Sequence, residues 1–232
     1  MNSAIVLCSG GIDSVTTTHF VSNMGYSDVT ILFFDYGQKS LFSERECSKT
    51  CAKNIGAKFC EIKLKWLGEI STSLINKNGT AKKLKRTDLR DTKKESEKFY
   101  VPCRNAIFLI HALAFVESLS IKERKNFDIF VGFKNEGKES YPDTTKKFVN
   151  KMNELSKISC SRPARILAPL IEKDKEDIIV LGRKLSVNFK KTFSCYVEGK
   201  KHCGVCLACK LRQEGFYWAG IKDPTEYKQK TN

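Results

Sequence analysis

Short apolar runs alternate with longer segments of helical period from the N-terminus to about Leu185. Ala4-Ile5-Val6-Leu7-Cys8 reads as a buried strand, Ser9-Gly10-Gly11-Ile12-Asp13-Ser14 as a loop, and Val15 to about Met24 as a helix. A second apolar strand, Val29 to Phe34, ends at Asp35-Tyr36-Gly37-Gln38, and a polar helix follows through Cys51. Lys58 to Lys63 predicts a third strand. Asn76 to Lys98, with nine Lys or Arg against four Asp or Glu, reads as an excursion or flexible lid. Val101-Pro102-Cys103-Arg104-Asn105 opens a strongly apolar helix, Ala106 to Leu119, with Pro where an initiating turn tolerates a missing amide donor. Asp128 to Gly132 predicts another buried strand, Arg165 to Leu170 a further short one, and Asp174 to Leu185 a helix.

Strands separated by helices at this spacing imply βαβ units, hence an α/β fold with a parallel sheet and helices on both faces. Ligands of such sheets bind beyond the strand C-termini. The glycine loop, the Asp35 loop and the segment Lys134 to Thr145 all fall there and are expected to converge on one crevice.

Composition narrows the class. With 232 residues, 41% hydrophobic and 29% charged, the chain is ordinary globular protein with room for one principal domain and a small appended module. Two units are expected, 1–190 and 191–232, the second packed on the first. No apolar stretch approaches the roughly 20 residues of a membrane-spanning helix, and Ala4 to Cys8 is too short for a signal-peptide core. A cytoplasmic protein with no membrane association is therefore expected. Lys and Arg exceed Asp and Glu by 15, which suits phosphorylated substrates. The same charge could attract polyanions such as RNA, but no basic stripe is interleaved with aromatics as base-stacking surfaces are, and a merely solvated basic surface is the bland reading.

The Ser-Gly-Gly-x-Asp-Ser loop has a clear physical use between a strand and a helix. Its glycines let backbone N–H groups approach an anion at the helix N-terminus. Ser9 and Ser14 can donate to phosphate oxygens, and Asp13 beside an anion is explained by a bridging Mg²⁺. The bland alternative is a tight turn capped by Asp13 or Ser14. Gly-Lys-Ser or Gly-Lys-Thr is missing and no lysine is expected near the loop, so this is not a kinase or GTPase P-loop.

Four of the ten cysteines crowd into Cys195, Cys203, Cys206 and Cys209. Four thiolates at such spacings form a closed tetrahedral site for structural Zn²⁺, with an iron–sulfur cluster as the other occupant of a Cys₄ set. His202 could replace a ligand or stand as a solvent-facing spectator. Cys8, Cys47, Cys51, Cys60 and Cys160 read as inert thiols, Cys103 as a packed thiol or an activated nucleophile, and Phe108, Leu109, Leu113 and Phe115 as core.

The glycine loop resembles the signature of ATP pyrophosphatases. Together with Asp35-Tyr36-Gly37-Gln38, Val101 to Asn105, Tyr141-Pro142-Asp143, Cys195-Tyr196 and Cys203-x-x-Cys206-x-x-Cys209, it makes the chain similar nearly end to end to the 7-cyano-7-deazaguanine synthase (QueC) family. The resemblance implies a Rossmann-like, adenine nucleotide alpha hydrolase-like domain with a C-terminal Cys₄ zinc module. It also implies that the carboxylate of 7-carboxy-7-deazaguanine is adenylated with ATP, amidated with ammonia and dehydrated to the nitrile. Carried onto this chain, ATP and Mg²⁺ fall to Cys8, Ser9, Gly10, Gly11, Ile12, Asp13, Ser14, Val15, Thr16, Thr17, Thr18 and Asp35. Zn²⁺ falls to the four clustered cysteines, and the substrate to Gln38, Arg104, Asn105, Tyr141 and Asp143. Ser9, Asp13, Ser14, Arg104 and Asp143 are the catalytic candidates, and a homodimer with no nucleic-acid partner is expected.

The chain departs from the family pattern at Cys103 and Ser140, where glycine is usual, at Gly137, Glu139 and Thr144 in the same loop, and at Lys39-Ser40, where Arg-His is usual. These changes leave open a relative that passes the adenylated carboxylate to another amine, such as a protein N-terminus. A tRNA-modifying pyrophosphatase-loop enzyme is the further alternative.

Overall fold

The computed structural model describes residues 3–79, 81–134, 141–197 and 199–229. Five strands, β1 (Ser3–Leu7), β2 (Asp28–Asp35), β3 (Lys58–Lys63), β4 (Phe127–Val131) and β5 (Arg165–Leu167), form one sheet in the order β3-β2-β1-β4-β5. Every pairing is parallel, as the alternation of strand and helix requires. The order reverses between β1 and β4, which opens a crevice at their C-terminal ends.

Alternation of side chains along the buried strands assigns the two faces. Ile5, Leu32, Phe34 and Ile129 point to one core, closed by α5 (Arg104–Glu123) and α6 (Lys146–Ser159) through Leu109, Ala112, Leu113, Val149 and Met152. Cys8 and Ile31 point to the other, closed by α1 (Ile12–Asn23), α2 (Leu41–Ile55), α7 (Lys175–Lys184) and α8 (Leu207–Trp218) through Ile12, Val15, Cys51, Ile178, Ile179 and Phe216. The short helices α3 (Lys65–Ile70) and α4 (Lys93–Glu97) complete the chain.

Several boundaries differ from the sequence expectation, each for a local reason. Helix α1 starts at Ile12 rather than Val15, so Asp13 and Ser14 occupy its first turn, where an acidic side chain is favoured by the dipole. Helix α5 runs 20 residues, from Arg104 to Glu123. By length and composition alone it could cross a membrane, counter to the expectation of no such stretch, yet Leu109, Ala112, Leu113 and Val116 are buried against the sheet. The segment expected as an excursion or flexible lid is, over 76–79 and 81–98, an excursion folded against the body as a strap. Leu84 is buried and its N–H donates to Val205 O at 2.9 Å. The buried carboxylate of Glu95 accepts from Lys82 N at 3.1 Å and Lys98 Nζ at 2.7 Å. Arg86 pairs with Glu214 at 3.0 Å and lies 4.2 Å over the Tyr217 ring.

Candidate active site and metal centre

The loop after β1 is shaped by Gly10, held at φ 80°, where an added Cβ would lie 2.6 Å from Glu44 O and 2.8 Å from Cys47 Cβ. Its carbonyl accepts from Phe193 N at 2.9 Å. Ser14 Oγ lies 3.3 Å from Ser9 Oγ, donates to Gly11 O at 3.1 Å, and has Cys8 Sγ at 3.6 Å. Both serine hydroxyls therefore face one point above the α1 N-terminus, where backbone N–H groups and the helix dipole favour an anion.

Two adjoining cavities open here. The first, about 260 Å³, is lined by Cys8, Ser9, Gly11, Asp13 and Ser14 on one side, and by Phe34, Tyr36, Gln38, Glu44, Arg104, Asn105, Phe108 and Tyr141 on the other. The Phe34 and Phe108 rings stack at 4.2 Å with 4° between their planes, and the Arg104 guanidinium lies 5.8 Å over the Tyr36 ring. A flat aromatic wall beside a phosphate loop suits a planar base. Phe108, expected as plain core, is instead only half-buried and faces this space. Burial drives the Tyr36 hydroxyl up to about 12, against the pull of Arg104, so it stays neutral. The second cavity, about 640 Å³, lies between the phosphate loop, the strap and α8, and is lined by Asp13, Arg90, Thr92, Lys134, Lys175 and Arg212 among others.

The expected site residues divide by location. Cys8, Ser9, Gly11, Ile12, Asp13 and Ser14 reach one or both cavities. Val15, Thr16, Thr17 and Thr18 do not. They are buried in α1, with Thr17 and Thr18 hydroxyls donating back to Asp13 O and Ser14 O, because the helix begins early. Asp35 is also buried away from the cavities, accepting from Gly37 N at 3.2 Å with Arg45 at 3.6 Å.

Gln38, Arg104, Asn105 and Tyr141 line the first cavity, whereas Asp143 lines neither. Its carboxylate accepts from Asn105 N at 3.1 Å while its carbonyl accepts from Asn105 Nδ2 at 3.2 Å. It thus satisfies one of the amides that a helix start leaves without a partner. Cys103 is exposed rather than packed, standing ahead of α5 at φ 55° and outside both cavities. Burial pushes Cys47 to about 11 and raises Cys60, as inert thiols require, whereas Cys8, expected inert with them, is held down to about 6 by its hydrogen bond with Cys51 and lines the first cavity. The changed positions Gly137, Glu139 and Ser140 lie outside the described residues.

Among the charged cavity groups that sequence reasoning missed, Lys175 and Glu44 stand nearest the loop. Lys175, 162 positions from Asp13, donates Nζ to both of its carboxylate oxygens at 2.7 Å. A lysine thus stands at the phosphate loop after all, brought by the fold. One signal existed: a cation in the first turn of a helix opposes the dipole and calls for an anionic partner. Glu44, on α2, is the other, and no local pattern marks it.

The four cysteine Sγ atoms are buried and lie within 4.8 Å of one another. Cys195 to Cys206 and Cys203 to Cys209 are each 3.9 Å. Thiolates about 2.3 Å from a tetrahedral ion stand about 3.8 Å apart, so the set fits one metal ion. Val205 N and Cys206 N reach Cys203 Sγ at 3.5 and 3.3 Å, the backbone support that metal thiolates use. His202 is not solvent-facing. It is buried, its Nε2 accepts from Ser194 N at 3.0 Å, and burial with nearby Arg212 holds it down to about 4. Arg212, 1% exposed, donates to Thr192 Oγ1, Ser194 Oγ and Phe189 O. It thereby ties α8 to the segment whose Phe193 N–H holds Gly10.

The sequence profile described as queuosine biosynthesis protein QueC matches residues 3–220. The chain is 35% identical over 229 residues to the 7-cyano-7-deazaguanine synthase of Methanosphaera stadtmanae, covering 97% of this chain and 98% of that one. It is 32% identical to that of Methanothermobacter thermautotrophicus, at 97% and 99% coverage, and 32% identical to that of Clostridium kluyveri, at 98% and 99%. Among solved structures, NMN synthetase from Francisella tularensis matches with a TM-score of 0.49 and 15% identity, covering 95% of this chain and 78% of that chain.

Proposed function

Because the chain belongs to the QueC family of queuosine biosynthesis proteins, we infer that it is an ATP-dependent 7-cyano-7-deazaguanine synthase. It is a ligase that joins nitrogen to the carboxylate carbon of 7-carboxy-7-deazaguanine and carries the amide on to the nitrile. The observation that carries this reading into the structure is the first cavity. There a serine-lined phosphate loop and an aromatic recess share one space at the β1/β4 crevice.

In this reading the triphosphate lies over the α1 N-terminus, with Ser9 donating to it and Ser14 turning its hydroxyl from Gly11 O to do the same, and the acceptor carboxylate meets the α-phosphorus at the mouth of the recess. Lys175 stands where negative charge collects on the departing pyrophosphate, and charge placed in advance is the effective form of transition-state stabilisation. Mg²⁺ would add phosphate charge neutralisation, with Asp13 as its protein carboxylate. Each Asp13 oxygen carries one bond from Lys175 and keeps a lone pair for the ion. Zn²⁺ is the metal we assign to Cys195, Cys203, Cys206 and Cys209. Held by these four thiolates it would serve to fix the C-terminal segment rather than to activate water. Residues 1–190 then form the catalytic unit and 191–232 the zinc module, in a cytoplasmic homodimer.

Mass spectrometry of the protein incubated with ATP, Mg²⁺, 7-carboxy-7-deazaguanine and ammonia tests the reading. The nitrile with AMP is expected. AMP with only an amide or a protein-linked deazaguanine would replace it by amine transfer, and no substrate-dependent AMP would overturn it.

A further inference from the structure

We propose that Glu44 is the residue that reads the base, its carboxylate accepting both donors, the ring N–H and the exocyclic amine, of a guanine-type edge. The proposal rests on the synthase reading for the identity of the base, and on the first cavity for everything else. Two carboxylates line that cavity among the described residues, Asp13 and Glu44. Asp13 is ion-paired with Lys175 and sits in the first turn of α1, on the serine-loop side of the cavity. Asp143, one of the substrate candidates implied by the family resemblance, is turned to the start of α5.

Glu44 is held for recognition. Ser40 Oγ donates to its Oε1 at 2.5 Å and Gln38 Nε2 to its Oε2 at 3.0 Å. Each oxygen is thus fixed by one donor and retains a second lone pair, which is the geometry that takes two parallel N–H donors. Gln38 is itself locked, accepting from Tyr36 N at 2.9 Å and donating to Phe34 O at 3.0 Å, so the carboxylate cannot swing away. No lysine or arginine forms an ion pair with it among the described residues. A carboxylate taken from water with only neutral hydrogen-bond partners is costly, and burial accordingly raises its pKa against the pull of Ser40, Gln38 and Arg104. A donor-rich planar ligand removes that cost. The stacked Phe34 and Phe108 rings supply the surface such a ring would lie on, and Arg104 is left for the opposite, acceptor-bearing part of the ligand.

The test compares wild type with E44Q, which keeps the size of the side chain but replaces one acceptor by a donor. AMP formation is measured against 7-carboxy-7-deazaguanine and against the analogue lacking the exocyclic amine, and binding of the nitrile product is measured by calorimetry. Wild type is expected to favour the amino compound by about 100-fold or more in kcat/KM, since a site built to bond an N–H rejects a ligand without it. E44Q should raise KM for the amino compound by about 10- to 100-fold, the loss of hydrogen bonds to a charged group, with KM for ATP unchanged and the preference for the amine collapsed. An E44Q enzyme that keeps both its preference and its affinity for the nitrile overturns the assignment. The synthase reading fails separately: wild type would then release no AMP with the amino compound, while weaker nitrile binding by E44Q would still uphold Glu44 as the reader.

Discussion

Replacing Arg212 by Met tests how the C-terminal helix supports the phosphate loop. The guanidinium is 1% exposed and makes three hydrogen bonds, to Thr192 Oγ1 at 2.8 Å, Ser194 Oγ at 3.2 Å and Phe189 O at 2.9 Å. Its Nε lies 3.5 Å from Asp223 Oδ1. Methionine fills much of the aliphatic volume but restores none of these contacts, and it leaves the Asp223 carboxylate with only the neutral donors Thr225 N and Tyr227 Oη and no cation among the described residues. The Phe189 carbonyl keeps Thr192 Oγ1 as a donor, so the cost falls mainly on Asp223. Breaking one side of a buried ionic network costs about 3–5 kcal/mol, a large share of the about 5–15 kcal/mol that keeps a domain folded. Urea unfolding should show that loss, and the melting temperature should fall by about 10 °C. Below the new melting temperature, KM for ATP should also rise, because Phe193 N holds Gly10 O at 2.9 Å from within the clamped segment. Arg212→Lys, which keeps the charge without the fork, should fall between the two. A loss under about 1 kcal/mol, the range of an exposed ion pair, together with an unchanged KM for ATP, would refute the clamp.

Gly10→Ala should abolish substrate-dependent AMP formation, since the new Cβ meets Glu44 O and Cys47 Cβ under 3 Å at a φ of 80°; isotopic pyrophosphate exchange would show it. Cys209→Ser should remove the bound metal from a protein that otherwise carries one ion per chain, as read by elemental analysis, and should unfold at lower temperature, because metal binding to such sites is coupled to folding. For E44Q the sign follows from burial raising the folded-state pKa of Glu44 above its ordinary 4.5. Stability from the protonated carboxyl is fully present below the unfolded value and is lost as pH rises through the folded one. The melting temperature of E44Q relative to wild type should therefore rise from about pH 4 to about pH 7, and a difference flat with pH would contradict the burial argument.

Much of this site was open to sequence reasoning because its parts are local. The run Ala4 to Cys8 followed by Ser-Gly-Gly states a strand that must turn sharply under an anion, and four cysteines within fifteen residues of each other state a metal. Both depend on neighbours along the chain. The helix after the loop began three residues early in the structure, a small shift with a large effect, since it moved Val15 to Thr18 from the ligand to the core. For the strap, composition marked an excursion from the alternating pattern but not how it packs. Its charges face outward while Leu84 and Glu95 are buried, and a ratio of charged residues does not tell which few turn inward.

Periodicity, glycine placement and cysteine spacing thus determined the class of fold, the glycine loop after the first strand and the clustering of the four cysteines, because each follows from the geometry of a few consecutive residues. Only the tertiary structure decided which carboxylate faces the cavity, Glu44 or Asp143, and that Lys175 comes to Asp13 from 162 positions away. The reason is physical: a polar side chain is placed by the partners that satisfy it after burial. For these residues the partners come from other turns of the fold and leave no mark in the local pattern.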